Sequence, residues 1–156
     1  MLAVGFANVN RGCAVSEGGS ILTSQDGGQA WTRIVQAPAG TSLKAVSLGD
    51  ADTVYAVGSN GTVLKSVDGG FTWDIGQKPG GGSAALVSVK FVSPLTGWVA
   101  TDSGAVYQSD DGGASWQHQI TPPQASGLAV LDAANTRNLW LVTAGGAYAL
   151  SVTGGK

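Results

Sequence analysis

Asp26, Asp68 and Asp111 each stand two residues after a serine (Ser24, Ser66, Ser109) and five before a tryptophan (Trp31, Trp73, Trp116). A carboxylate beside a hydroxyl in a glycine-rich turn could ligate calcium, act as an acid or base, or hold the turn itself. A calcium loop needs Asp or Asn at alternate positions before its glycine and a closing Glu. Ser-x-Asp-Gly-Gly offers one carboxylate per turn, and the doubled Asp110-Asp111 reads as a solvated pair, so no metal site is expected. The ordinary work of Asp in a turn is to accept backbone N–H groups, here expected two residues on. The glycine pairs ending in Gly28, Gly70 and Gly113 supply the left-handed conformations that side-chained residues resist. The serines bond the same turn and the tryptophans cover it, packing between neighbouring units. All twelve residues are read as structural.

Other chemistry is sparse. Glycoside cleavage needs two carboxylates about 5–10 Å apart. Glu17 and Asp102, each seven residues before one of these serines, are the best-placed candidates, and both read as ordinary turn residues. His118 is the sole histidine and has no nucleophile elbow to serve. Gly154-Gly155-Lys156 lacks the Ser/Thr and helix of a phosphate loop. Cys13 is the only cysteine, which excludes an internal disulfide and a cysteine-based zinc site and leaves an inert buried thiol. Asn60-Gly61-Thr62 matches the glycosylation triplet, but its Asn-Gly is also a hairpin signal. No catalytic residue and no cofactor is assigned.

The elements that position these residues repeat. The serines lie 42 and 43 residues apart, and an eroded copy, Ser151-Val152-Thr153-Gly154-Gly155, follows after 42 more. Five positions before each serine stand Gly19, Gly61, Gly104 and Gly146, and eleven before stand Cys13, Tyr55, Trp98 and Trp140. Each unit reads as four short strands, in the second unit 43–48, 53–57, 62–66 and 72–75, bounded by Gly, Asn, Asp or Pro. Gly18-Gly19, Asn60-Gly61, Ser103-Gly104 and Gly145-Gly146 join the second and third strands, where paired positive-φ residues suit tight hairpins. Four-stranded units of about 42 residues in series signify propeller blades. The expected fold is all-β: four consecutive four-stranded antiparallel blades, over about 1–40, 41–83, 84–126 and 127–156, the last lacking its fourth strand. These form one domain, with essentially no helix.

Composition agrees. Glycine fills 25 of 156 positions, apolar residues reach 43% and charged residues only 12%, which excludes disorder. The net charge is −2 and the eight Lys and Arg are scattered, so no nucleic-acid surface is expected. No apolar run approaches the ~18 residues of a membrane helix. The chain as written opens without a leader and reads as cytoplasmic, or as exported if a leader has been removed.

The three Ser-x-Asp-x-Gly-x-x-Trp copies resemble the Asp-box (BNR) repeat, hereafter the box. The flanking Gly-x-Val-Leu-x-Ser-x-Asp-Gly-Gly form is similar to the photosystem II stability/assembly-factor-like repeats of bacteria and plastids. The resemblance implies a β-propeller whose boxes are staples remote from any active site. It also implies a non-enzymatic scaffold or protein-binding module that assists complex assembly. The same repeat occurs in sialidases and other glycosidases, so a glycan-binding or glycoside-hydrolase-related propeller is the alternative. Sialidases carry three converging arginines, whereas Arg11 and Arg137 fall in the first-to-second-strand loops of units one and four and Arg33 on a fourth strand, so the three are not expected to converge. The partner is expected to be another protein. Variable loops on a repeated scaffold are where binding lives. The loops 36–42, 76–83 and 121–126 therefore place the binding face opposite the boxes, near Glu17, Ser59, Lys78 and Asp102. The missing fourth strand leaves an edge and two blade faces uncovered, which predicts a homodimer completing an eight-bladed ring.

Overall fold

The computed structural model describes residues 3–120, 130–135, 138–143 and 146–151. Blade one is β1 (Ala3–Phe6), β2 (Gly12–Val15), β3 (Ser20–Ser24) and β4 (Thr32–Gln36). Blade two is β5 (Leu43–Leu48), β6 (Val54–Gly58), β7 (Val63–Ser66) and β8 (Asp74–Ile75). Blade three is β9 (Leu86–Phe91), β10 (Gly97–Thr101), β11 (Val106–Ser109) and β12 (Gln117–Ile120). Blade four is β13 (Val130–Asn135), β14 (Asn138–Thr143) and β15 (Gly146–Ser151), a three-stranded sheet. Every sheet is an antiparallel meander in chain order. The fold is the expected all-β propeller architecture. Among the described residues, helical turns are confined to the three-residue segments Ser59–Gly61 and Pro79–Gly81. The loop 121–126 and the tail after Ser151 lie outside the described residues.

The blades stack because successive residues of a strand point to opposite faces. In β6, Val54 and Ala56 join a core with Cys13, Val15 and Ile21 of blade one. Tyr55 and Val57 join a second core with Val89, Phe91 and Val99 of blade three. Trp98 and Ala100 of β10 join a third with Leu139 and Leu141 of blade four. Among the described residues there are therefore three cores, one per blade interface, and each fully buried Val or Leu in them contributes about 1.5–3 kcal/mol. β6 and β10 are buried along their whole length.

The inner strands β1, β5, β9 and β13 pack in succession and line one central cavity. Ser47 Oγ accepts the Phe91 N–H at 2.9 Å, and Ser88 Oγ accepts the Leu131 N–H at 3.0 Å, tying β5 to β9 and β9 to β13. Among the described residues, β1 and β13 share no packing of comparable extent, so the four blades form an arc.

The hairpins divide into two kinds. Asn60 (φ 57°) and Gly61 (φ 65°) are both left-handed, the two-residue turn that Asn-Gly announces. In blades one and three only the second residue is left-handed, Gly19 (φ 76°) and Gly104 (φ 82°). There the N–H of that glycine closes a turn onto the carbonyl of Ser16 or Thr101 at 3.0 and 2.9 Å. These are three-residue loops ending in a glycine bulge. The expectation of paired positive φ thus fails in two blades, because a residue placed earlier in the loop, Glu17 or Asp102, takes up part of the reversal.

Candidate functional site

The box is built the same way three times. Ser24 Oγ donates to Asp26 Oδ1 at 2.8 Å and accepts the Gly28 N–H at 2.8 Å. Ser66 does so with Asp68 and Gly70 at 2.7 and 2.8 Å. Ser109 does so with Asp111 and Gly113, both at 2.8 Å. Each carboxylate then reaches further along the chain than the two residues expected. Asp26 accepts the Ala30 N–H at 3.0 Å, Asp68 those of Phe71 and Thr72 at 3.0 and 2.9 Å, and Asp111 that of Ser115 at 2.9 Å. The serine occupies the nearer amide, which frees the carboxylate to close the turn three and four residues on.

These bonds hold the carboxyls ionised. Asp68 lies well below the ordinary carboxyl value, chiefly through the Thr72 hydroxyl and then its N–H. The Ser115 hydroxyl brings Asp111 down to about 2. Asp26, which lacks a hydroxyl partner at that place, is lowered mainly by the Ala30 N–H. A general acid needs a raised carboxyl pKa, so the box points away from acid catalysis.

The glycine before each serine-bonded one anchors the box to the neighbouring loop. Gly27, Gly69 and Gly112 donate their N–H to the carbonyls of Asn10, Asp52 and Leu95 at 2.9, 2.7 and 2.8 Å. The box turns and the β1–β2, β5–β6 and β9–β10 loops therefore share one end of the propeller. The indoles of Trp31 and Trp73 donate to the Gly28 and Gly70 carbonyls at 3.1 and 2.8 Å. Trp116 departs, donating instead to the Gln77 carbonyl of blade two at 3.0 Å. All three tryptophans are half-buried; Trp73 and Trp116 pack on the first and second interface cores, and Trp31 meets the Phe6 ring edge-on at 5.9 Å.

A second repeated feature escaped the sequence reading. Asn8 Oδ1 accepts the Asn10 and Arg11 N–H groups, both at 2.9 Å; Asp50 Oδ1 those of Asp52 and Thr53 at 2.9 and 2.6 Å. Ser93 Oγ accepts the Leu95 and Thr96 N–H groups at 3.3 and 2.9 Å, and Asn135 Oδ1 that of Asn138 at 3.0 Å. Each of these residues stands sixteen positions before the serine of its unit, a column of short polar side chains visible in the sequence. Clamps at the same end join the blades. Arg11 Nη1 pairs with Asp52 Oδ1 at 2.8 Å, Tyr55 Oη donates to the Pro94 carbonyl at 2.7 Å, and Lys65 Nζ donates to the Gly112 carbonyl at 3.0 Å.

The remaining candidates lie at the other end, where interblade linkers meet the second-to-third-strand turns. Ser59 donates its N–H to the Ser42 carbonyl and Asp102 to that of Ala85, both at 2.9 Å. Glu17 is exposed and pairs with Lys44 at 3.2 Å. Ser59 Oγ accepts the Ser42 N–H at 2.9 Å, and Lys78 Nζ donates to the Asn60 carbonyl at 2.8 Å. Asp102 is exposed on the blade-three hairpin. Burial pushes the Cys13 thiol up to about 12. Among the described residues no group of His, Cys, Asp and Glu is spaced to hold a metal, and no helix is long and apolar enough to cross a membrane.

The family profile of the photosynthesis system II assembly factor YCF48 matches residues 1–156. The chain belongs to that family. Among solved structures, YCF48 bound to D1 peptide superposes with a TM-score of 0.76 at 21% identity, over 92% of this chain and 48% of that one. YCF48 from Cyanidioschyzon merolae gives 0.75 at 20% identity, over 98% and 53%. The chain thus spans about half the length of these YCF48 structures. A GH74 enzyme from Niastella koreensis gives 0.73 at 21% identity, over 99% of this chain and 29% of that one. No curated protein matches the chain significantly. Within this YCF48-family arc the sialidase-type candidates stay apart: Arg11 is clamped to blade two and Arg33 sits exposed on β4 beside Gln36. Arg137 lies outside the described residues. His118 is exposed on β12 and meets the Tyr107 ring at 5.3 Å.

Proposed function

We propose that the chain is a non-enzymatic, protein-binding propeller module that assists assembly of a protein complex, taking its partner on the end opposite the boxes. The observation carrying this reading is that its recurrent polar motifs are spent on turn closure, within a YCF48-family arc. A relative of the same architecture holds a peptide, D1, and an extended segment of another protein is the ligand class proposed here. Glu17, Ser59, Lys78 and Asp102 mark the working face, because linkers of differing sequence converge there on a rigid scaffold. The twelve box residues serve as staples in this reading, and no residue is assigned a catalytic role. The likeness to GH74 enzymes gives the glycan-active alternative its fold. Against it stand Glu17 and Asp102, the two candidate carboxylates, which sit on hairpins two blades apart, the former paired with Lys44.

Fluorescence anisotropy with a labelled D1 peptide tests the reading. Saturable binding is expected, weakened about tenfold or more by combined Lys78→Glu and Asp102→Lys changes and left intact by Phe71→Ser at the box end. Absence of binding, or loss caused only by the box-end change, contradicts it. Turnover of a xyloglucan oligosaccharide favours the alternative.

A further inference from the structure

The outer strand of blade two stops short. β8 is two residues long, against five in β4 and four in β12. β4 covers β3 through the pairs Ile21–Val35 and Ser20–Gln36, and β12 covers β11 through Val106–Ile120. In blade two the strand pairing ends at Leu64–Ile75, and one last bond runs from the Gly76 N–H to the Val63 carbonyl at 2.8 Å. The cause lies in the sequence. Ten and eleven residues after the box serine stand Ile34-Val35 in blade one and Gln119-Ile120 in blade three, but Gly76-Gln77 in blade two. Val35 packs on the first core. Gly76 instead lies so close on Val63 that a Cβ would stand 3.1 Å from its Cγ1, and it brings no side chain to cover the strand. Trp116 of blade three then takes the Gln77 carbonyl at 3.0 Å.

The missing cover leaves a cleft of about 240 Å³ between Pro38 and Thr41 of the preceding linker and Val63, Ile75, Gly76 and Lys78 of blade two. Ile75 lines it and is 71% exposed, at a place where blades one and three carry the polar Arg33 and His118. The charge of the cleft is one-sided. No acidic residue lines it, and among the described residues none pairs with Lys78. Lys78 is exposed and gives one proton to the Asn60 carbonyl at 2.8 Å, which leaves two for a ligand. Lys78 stands at the place of Gln36, whose side-chain amide donates in the same way to the Gly18 carbonyl. The hairpin bond therefore needs a donor and not a charge.

We infer that this cleft takes an extended segment of a partner protein in which an aliphatic residue has a side-chain carboxylate two positions away. The aliphatic side chain supplies the apolar cover that Val35 gives blade one, lying against Ile75 and Val63, and the carboxylate meets Lys78 Nζ. Alternate residues of an extended segment share a face, which sets the spacing. The inference rests on the linker-end binding proposed above and names the side-chain chemistry that its partner carries.

Amide chemical-shift mapping of the isotope-labelled chain with the blocked heptapeptide acetyl-Gly-Asp-Ser-Leu-Ser-Asp-Gly-amide provides the test, the two Asp residues serving either chain direction. Saturable shifts are expected at Thr41, Ile75, Gly76 and Lys78. Replacing the peptide's Leu by Ser should weaken binding about tenfold, and replacing both Asp by Asn about threefold. Lys78→Gln, which keeps a donor for the Asn60 carbonyl, should abolish the preference for Asp over Asn and retain that for Leu over Ser. Ile75→Ser should do the converse. The amide spectrum of each variant reports its folding, and should either unfold, the peptide series on the wild-type chain decides. Absence of saturable shifts at the cleft up to tens of millimolar peptide, or equal binding of the Leu and Ser peptides, overturns the inference. D1 peptide that still binds in that event, and is weakened by the Lys78 and Asp102 changes, leaves the linker-end reading standing. Heptapeptide binding at the cleft without D1 binding overturns that reading alone.

Discussion

At the scale of single residues, the serine of the box matters as much as the aspartate that draws attention in the sequence. Ser66 is buried, and its hydroxyl accepts the Gly70 N–H while donating to Asp68. Ser66→Ala leaves a buried amide without its partner and should lower unfolding free energy by about 1–3 kcal/mol, measured by chemical denaturation. The aspartates make themselves felt through pH. A carboxyl bound by N–H and O–H donors in the folded state, and not in the unfolded one, has a lower folded pKa and stabilises the fold only while ionised. The unfolded carboxyl titrates near 3.8, and Asp111 when folded near 2. The stabilisation is therefore complete above about pH 4 and lost as pH falls from there towards 2. Asp68→Asn should flatten that acid limb in a denaturation series from pH 6 to pH 2, and an unchanged limb contradicts the assignment.

At the scale of elements, the hairpins show what was legible and what was not. Asn60-Gly61 was read correctly as a two-residue turn, because left-handed backbone at both positions leaves few alternatives to Asn and Gly. Asn60→Gly should change stability by no more than a few tenths of a kcal/mol, and Asn60→Val should cost about 1–2 kcal/mol, read as a difference in thermal midpoint. Gly18-Gly19 and Ser103-Gly104 look alike in sequence, but which of the residues turns left-handed is set by the length of the loop that the strand register leaves. The box was legible as a turn, whereas the reach of its carboxylate was not, since that depends on which amide the serine has already taken. The column of Asn8, Asp50, Ser93 and Asn135 was legible in spacing and overlooked, because its residue types differ while their hydrogen bonding does not. The clamps from Arg11, Tyr55 and Lys65 had no such signal: each joins two blades, and only the stacking brings its partners together.

At the scale of the whole molecule, stability resides in the joints between blades, as in other repeat arrays where each unit leans on its neighbours. Trp98 is fully buried between blades three and four. Trp98→Ala should cost about 3–5 kcal/mol, and hydrogen exchange should show blade four opening before blades one and two. The same stacking leaves one end of the arc closed by boxes and clamps and the other formed by linkers and hairpins. That asymmetry underlies the central claim, that the boxes staple while the linker end binds. Its most direct test is amide hydrogen exchange of the chain with and without saturating D1 peptide. The account predicts protection in segments 16–19, 36–42, 59–61, 76–83 and 101–104, with the box turns 24–31, 66–73 and 109–116 unchanged; protection confined to the box turns would contradict it.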